Sequence, residues 1–164
     1  MTYTLGKRSR KSLEGVHPKL VEVVERAIQI TTQDFTVIEG CRTLAKQREY
    51  VAKGASKTLK SNHLVKEDGF GYAVDLAAYV SGDIRWEQQA LYPICLAMGT
   101  AARELKVPIR WGGFWGLISP MQERPVESIQ QIDASVHAYV DMRRSRKQSV
   151  FLDLPHYEYR PDLG

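Results

Sequence analysis

Apolar positions first recur at helical spacing from His17 to about Thr31, where Leu20, Val24, Ala27 and Ile28 form a stripe that Val21 and Val23 widen. The spacing predicts a helix lying on a core. The period then changes: Asp34 to Glu39 (DFTVIE) is rich in β-formers and stops at Gly40, which predicts a strand. Thr43 is placed to cap a second helix running to about Ala52, with Gly54 closing it. The polar stretch from Lys57 to Gly71 contains a Glu-Asp-Gly turn signal and predicts a loop that feeds a strand from Tyr72 to Tyr79.

In the second half, Ala90, Ile94, Ala97 or Met98, Ala101 and Leu105 mark another helical stripe, which Pro93 is expected to kink or restart. A short strand from Pro108 to Trp111 ends at Gly112-Gly113, and Gly116 to Pro125 reads as a surface loop. Ile129, Ile132, Val136 and Val140 predict a third substantial helix, ending in the basic run Arg143, Arg144, Arg146 and Lys147 that its dipole favours. Ser149 to Leu152 and His156 to Tyr159 read as strands around Asp153-Leu154-Pro155. Helices and strands alternating this irregularly predict an α+β fold, a small and mostly antiparallel sheet flanked by helices.

Composition narrows the picture. The 164 residues suit one domain over 1–164, without repeats or a linker rich in Pro, Gly and Ser. With 43% hydrophobic and 26% charged residues, the chain resembles an ordinary globular protein, and its apolar runs are too short to span a bilayer. No membrane insertion is expected, and the protein is expected to be a monomer. The basic amino-terminal segment is not followed by the apolar core of a signal peptide, so the expected location is the cytosol until something else releases the protein. Cys41 and Cys95 are expected to be reduced thiols. A net charge of +4 favours a polyanion without choosing between nucleic acid, lipid and cell wall. The run from Arg143 to Lys147 lacks interleaved aromatic residues, so it reads as a solvated helix end and no nucleic-acid partner is expected.

The four histidines divide by context. His17 precedes Pro18 at a helix start and reads as a cap, while His137 sits on the polar side of a helix. Asp75 lies in the apolar segment Ala73-Val74-Asp75-Leu76, where a carboxylate needs a cation, a metal or several donors. His156 and Glu158 are two apart in an extended segment and so share a face, with Tyr157 on the other. Taken alone, these residues leave open a buried Asp bonded to backbone N–H groups and a simple exposed sheet face.

Their contexts together carry a resemblance. Ser61-x-His63, Ala73-Val74-Asp75-Leu76, Arg110-Trp111-Gly112-Gly113 and Asp153-x-Pro155-His156-Tyr157-Glu158 resemble the zinc peptidases of the hedgehog/D,D-peptidase fold. Glu39-Gly40-x-Arg42-Thr43-Leu44 and Gln47 extend the similarity, which runs from about Leu13 to Glu158. Within that group the chain is most similar to the L-alanyl-D-glutamate endopeptidase endolysins of bacteriophages, and it also resembles the vancomycin-resistance D,D-carboxypeptidases. The resemblance implies a catalytic Zn2+ on His63, Asp75 and His156, with Asp153 as general base and an upward-shifted carboxyl. It also implies an oxyanion or carboxylate clamp at Arg42, substrate contacts from Ser61, Gln47, Tyr72 and Trp111, and an orienting role for Glu158. The implied substrate is the peptidoglycan stem peptide, cut between L-Ala and D-Glu during host lysis.

Two departures stand out. The span between His63 and Asp75 is lengthened by Val65 to Phe70, and Tyr72 stands where many relatives carry a histidine. A D,D-carboxypeptidase trimming terminal D-alanine is the competing enzyme reading at this point, and a nucleic-acid-binding module the competing non-enzymatic one.

Overall fold

The computed structural model describes residues 2–56, 58 and 60–163. Lys57, where the predicted long loop begins, Leu59 and the two ends of the predicted domain, Met1 and Gly164, lie outside the described residues. The elements are α1 (Lys7–Ser12), α2 (Pro18–Ile30), β1 (Phe35–Glu39), α3 (Leu44–Ala52), β2 (Ala73–Val80), β3 (Asp83–Arg85) and α4 (Gln88–Leu105). They continue with β4 (Ile109–Trp111), β5 (Gly116–Ser119), α5 (Ile129–Ser145) and β6 (His156–Tyr159). This is the α+β arrangement the sequence predicts. The strands form one sheet in the order β1-β2-β6-β4-β5, with β3 also on β2, and every pairing is antiparallel.

Alternation along these strands gives the sheet two different faces. Val74, Leu76 and Ala78 of β2, Phe35 and Val37 of β1, Ile109 and Trp111 of β4, and Tyr157 of β6 enter the core. There α2 buries Leu20, Val23, Val24, Ala27 and Ile28 and packs along α4, the central helix, which also meets α5 and the sheet. Each fully buried Leu, Ile or Val contributes roughly 1.5–3 kcal/mol through area removed from water. The opposite face carries Asp75, Arg110, His156 and Glu158, the polar residues interleaved with the core set. One face therefore holds the fold together and the other is free for chemistry.

The local signals behave largely as expected. His17 Nδ1 accepts from the backbone N–H of Lys19 at 3.1 Å and caps α2, and Thr43 Oγ1 accepts from Lys46 N–H at 3.1 Å and caps α3. Cys41 and Cys95 are free thiols. Among the described residues, no helix is long and apolar enough to cross a membrane.

Several expectations need correcting. Pro93 does not restart α4, which runs without a break; Pro93 falls early in the helix, and the carbonyl its missing N–H would have served belongs to exposed Gln89, where water can serve it. The predicted surface loop from Gly116 begins instead with β5, all four residues of which are buried, because β4 turns back at Gly112-Gly113 to pair with it. Ser149 to Leu152 is not a strand: no neighbouring strand pairs with it, and it links α5 to β6. Two elements carry no strong sequence signal. β3 is a short exposed partner of β2, and α1 lies against β1, where Ser9 Oγ accepts from Val37 N–H at 3.0 Å and covers the edge strand.

Candidate metal centre and active site

Asp75 and His156 face each other across the β2–β6 pairing. His63 comes from the loop before β2, whose position is fixed by backbone bonds. His63 O accepts from Arg42 N–H at 2.7 Å, and Asn62 O accepts from Tyr72 N–H at 2.7 Å. Ser61 Oγ accepts from His63 N–H at 3.2 Å. A Cβ on Gly71 would come within 2.7 Å of His63 O, so the glycine is needed for this close approach. The extra residues from Val65 to Phe70 fold back on themselves, Lys66 N–H donating to Phe70 O at 2.9 Å and Gly69 taking a φ of 86°. The longer span therefore leaves His63 in place.

Three donor atoms converge. Asp75 Oδ1 lies 3.3 Å from His63 Nε2 and 3.0 Å from His156 Nδ1, and the three lie within 4.8 Å of one another. These separations are close to the roughly 3.4 Å edge of a tetrahedron built on bonds of about 2.0–2.2 Å. Each imidazole has its other nitrogen committed. His63 Nδ1 is 2.8 Å from the carbonyl of Gly40, which can only accept, so the proton sits there and Nε2 is left for a metal. His156 Nε2 is 2.9 Å from Glu158 Oε1, which in the same way leaves Nδ1. Such outer bonds fix ring orientation and tautomer in metal sites, and the donor set fits a divalent zinc-like ion.

Glu158 is itself fixed. It is 4% exposed, and Arg110 donates to its Oε2 from Nε at 2.8 Å and from Nη2 at 2.7 Å. Burial opposes its charge, but the hydrogen bond and positive charge of His156, with Asn62 and Arg110, hold its pKa down at about 2. Burial likewise pushes Asp75 up, yet bonds from His156 and His63 outweigh it and leave that carboxyl well below its usual range. His156 is penalised by burial as a cation, and Asp75 and Glu158 more than compensate, raising it to about 9.

Asp153 stands just before β6, its carbonyl accepting from His156 N–H at 3.0 Å and its N–H donating to Gly112 O at 2.9 Å. A Cβ on Gly112 would lie 2.2 Å from Asp153 O, so the Gly-Gly turn is what allows this approach. Burial raises the Asp153 pKa; the charges of Asp75 and Glu158 add to this, while those of the two histidines oppose it. A carboxyl shifted upward in this way suits a group that must both take and return a proton.

The other sequence-derived candidates separate. Arg42 is 8% exposed, and Glu39 takes its Nε at 2.6 Å and its Nη2 at 2.7 Å, while Gln47 Oε1 takes Nη1. Gln47 is fully buried, with its amide on Ser56 Oγ and Thr58 O, so it supports Arg42 rather than touching substrate. Ser61 shapes the His63 turn through its Oγ. Trp111 does not line the cleft: it faces the core with no exposure, against Tyr92 and Phe114, and its Nε1 donates to Leu154 O at 2.8 Å. Tyr72 is also displaced from the site. It lies three residues from Asp75 and so on the other face, among His17, Tyr159 and Lys66, with its hydroxyl on Asp68.

Residues not singled out individually complete the site. They are Glu39, Arg110, the carbonyl of Gly40 and Trp115. Trp115 has a φ of 56°, a left-handed conformation costing a non-glycine residue about 1–3 kcal/mol, and its ring lies 5.4 Å from that of His156.

Comparison with known proteins places this geometry. A family model described as phage L-alanyl-D-glutamate peptidase matches residues 1–135, taking in His63 and Asp75. The L-alanyl-D-glutamate peptidase of Escherichia phage T5 is 34% identical over 119 residues, 70% of this chain and 83% of that protein. The crystal structure of the Serratia marcescens L-Ala D-Glu endopeptidase ChiX superposes with a TM-score of 0.68 at 30% identity, covering 99% of this chain and 93% of that one. With the His-Asp-His cluster and its neighbouring carboxyl already in place, these matches make the chain a peptidase that belongs to the phage L-alanyl-D-glutamate peptidase family.

Proposed function

We propose that the whole chain acts as one catalytic unit, a zinc peptidase that cuts the L-Ala–D-Glu bond of peptidoglycan stem peptides. The observation that carries this reading is the convergence of His63 Nε2, Asp75 Oδ1 and His156 Nδ1, with the Asp153 carboxyl electrostatically coupled to all three residues. Bound by these three atoms, zinc supplies Lewis acidity, polarising a carbonyl and making water acidic near neutral pH. The rest of the chemistry falls to side chains of this chain. Asp153 accepts the proton of the attacking water and passes it to the departing amine of the glutamate. Glu158, braced by Arg110, keeps the His156 ring in position while charge develops. Of the five guanidinium N–H groups of Arg42, Glu39 and Gln47 occupy three, leaving two to take a substrate oxygen.

Membership in a phage family supports a role in host lysis, with the enzyme held in the host cytoplasm and then reaching the wall from within. The test is digestion of purified peptidoglycan by the protein as isolated, after exhaustive chelation, and after adding zinc back. The expected products, by mass spectrometry, are fragments with a new amino terminus on glutamate, lost on chelation and regained with zinc. Release of single D-alanine residues would establish the D,D-carboxypeptidase reading instead.

A further inference from the structure

The sheet order places different chemistry on the two sides of the candidate metal centre. Beyond β2 lies β1, with Glu39 and the Arg42 cation that follows it; beyond β6 lies β4, with the turn that presents Trp115. Trp115 is held from several directions. Its Nε1 donates to Phe151 O at 2.9 Å, its ring stacks on Phe151 with centroids 5.6 Å apart and planes 14° apart, and the Arg110 guanidinium lies 5.6 Å from its centroid. Phe151 is 51% exposed and stands two residues before Asp153. A bulky residue in a left-handed backbone conformation beside a ligand histidine, carrying an exposed aromatic ring outward, is an ordered apolar wall.

We infer that Trp115 and Phe151 form the subsite for the sugar-proximal side of the substrate, taking the L-alanyl methyl, the lactyl group and the apolar face of the muramoyl ring. This rests on the peptidase reading above. The substrate's chemistry is polarised in the same way as the site. On one side of the scissile bond, the alanine nitrogen joins a lactyl ether on a sugar; on the other, the glutamate carries a free carboxylate. A cation on the β1 side and an aromatic wall on the β4 side fix the direction in which the peptide lies, carboxylate toward Arg42 and sugar toward Phe151. Trp115 and Phe151 are thus specificity-determining residues.

The experiment measures binding of N-acetylmuramoyl-L-alanyl-D-isoglutamic acid and of N-acetyl-L-alanyl-D-isoglutamic acid to the metal-free protein by calorimetry, in parallel with cleavage by the zinc-loaded protein. The expected result is about tenfold tighter binding of the sugar-bearing ligand, with that preference falling to about onefold in Phe151→Ala and kept in Phe151→Tyr. Trp115→Leu loses the preference too. Because the Phe151 side chain is 51% exposed, its replacement is compatible with folding, and the Phe151 pair still decides the matter if Trp115→Leu does not fold. Equal binding of the two ligands by the unsubstituted protein, or a preference that survives Phe151→Ala, overturns the inference. A preference that is present without cleavage of either compound upholds the subsite and overturns the peptidase reading.

Discussion

In the metal-free protein His156 is an imidazolium between Asp75 and Glu158, with a pKa raised to about 9 from the usual 6.5. Its Nδ1 proton occupies the position a metal needs, so the two compete. At pH 7 the group lies about two units below its pKa, and displacing the proton weakens metal binding by roughly a hundredfold, on the order of 3 kcal/mol. The sign is definite: raising the pH strengthens binding about tenfold per unit until it flattens near the pKa of His156. Asp75 and Glu158 stay ionised throughout this window, since both are held well below neutrality. The same group stabilises the metal-free fold, because its folded pKa exceeds its unfolded one. That contribution, on the order of 3 kcal/mol, is complete below the unfolded value of about 6.5 and is lost as pH rises through about 9. Competition against a chromogenic chelator from pH 6.5 to 8.5 measures the first effect, and calorimetric melting of the metal-free protein from pH 6 to 10 the second. Glu158→Gln removes one of the two carboxylates and should shift both profiles to lower pH. Metal affinity already flat above pH 7, with no loss of melting temperature between pH 7 and 10, would show that His156 is not an imidazolium held between Asp75 and Glu158.

Three further predictions follow from the geometry. Asp153→Ala should lower kcat by about a hundred- to ten-thousandfold while the protein still binds one metal ion, checked by steady-state kinetics and metal analysis together. Arg110→Met leaves Glu158 without its paired donors and should weaken metal binding by about ten- to a hundredfold in the chelator assay, with Arg110→Lys intermediate. Tyr72→Phe should leave kcat/KM within about twofold, since Tyr72 lies across the sheet from Asp75; a loss of tenfold or more would return this residue to the site.

Much of the site was legible because strand periodicity is a short-range rule. The spacing of His156 and Glu158 put them on one face, and the burial of Asp75 among apolar neighbours demanded partners. The same rule contained the answer for Tyr72, three residues from Asp75 and therefore on the opposite face. What could not be read was register. Arg110 meets Glu158 because β4 and β6 pair with those two residues opposite, and nothing local to either segment states this alignment. Register also decides between the tryptophans. With Arg110 on the site face, Trp111 must enter the core, and only the Gly112-Gly113 turn brings Trp115 back over His156. The motif context puts Gln47 in contact with substrate, whereas its burial on the inner side of α3 makes it a support for Arg42. β5 carries no alternation in its sequence, because all four of its residues are buried.

The most direct test of the His63, Asp75 and His156 metal site is the position of the metal in crystals grown with zinc, located by anomalous scattering at the zinc edge. One strong peak is expected, bonded to His63 Nε2, Asp75 Oδ1 and His156 Nδ1 at about 2.0–2.2 Å, with His156 Nε2 still on Glu158. A peak elsewhere, or one bonded through His156 Nε2 with Glu158 turned away, would contradict it.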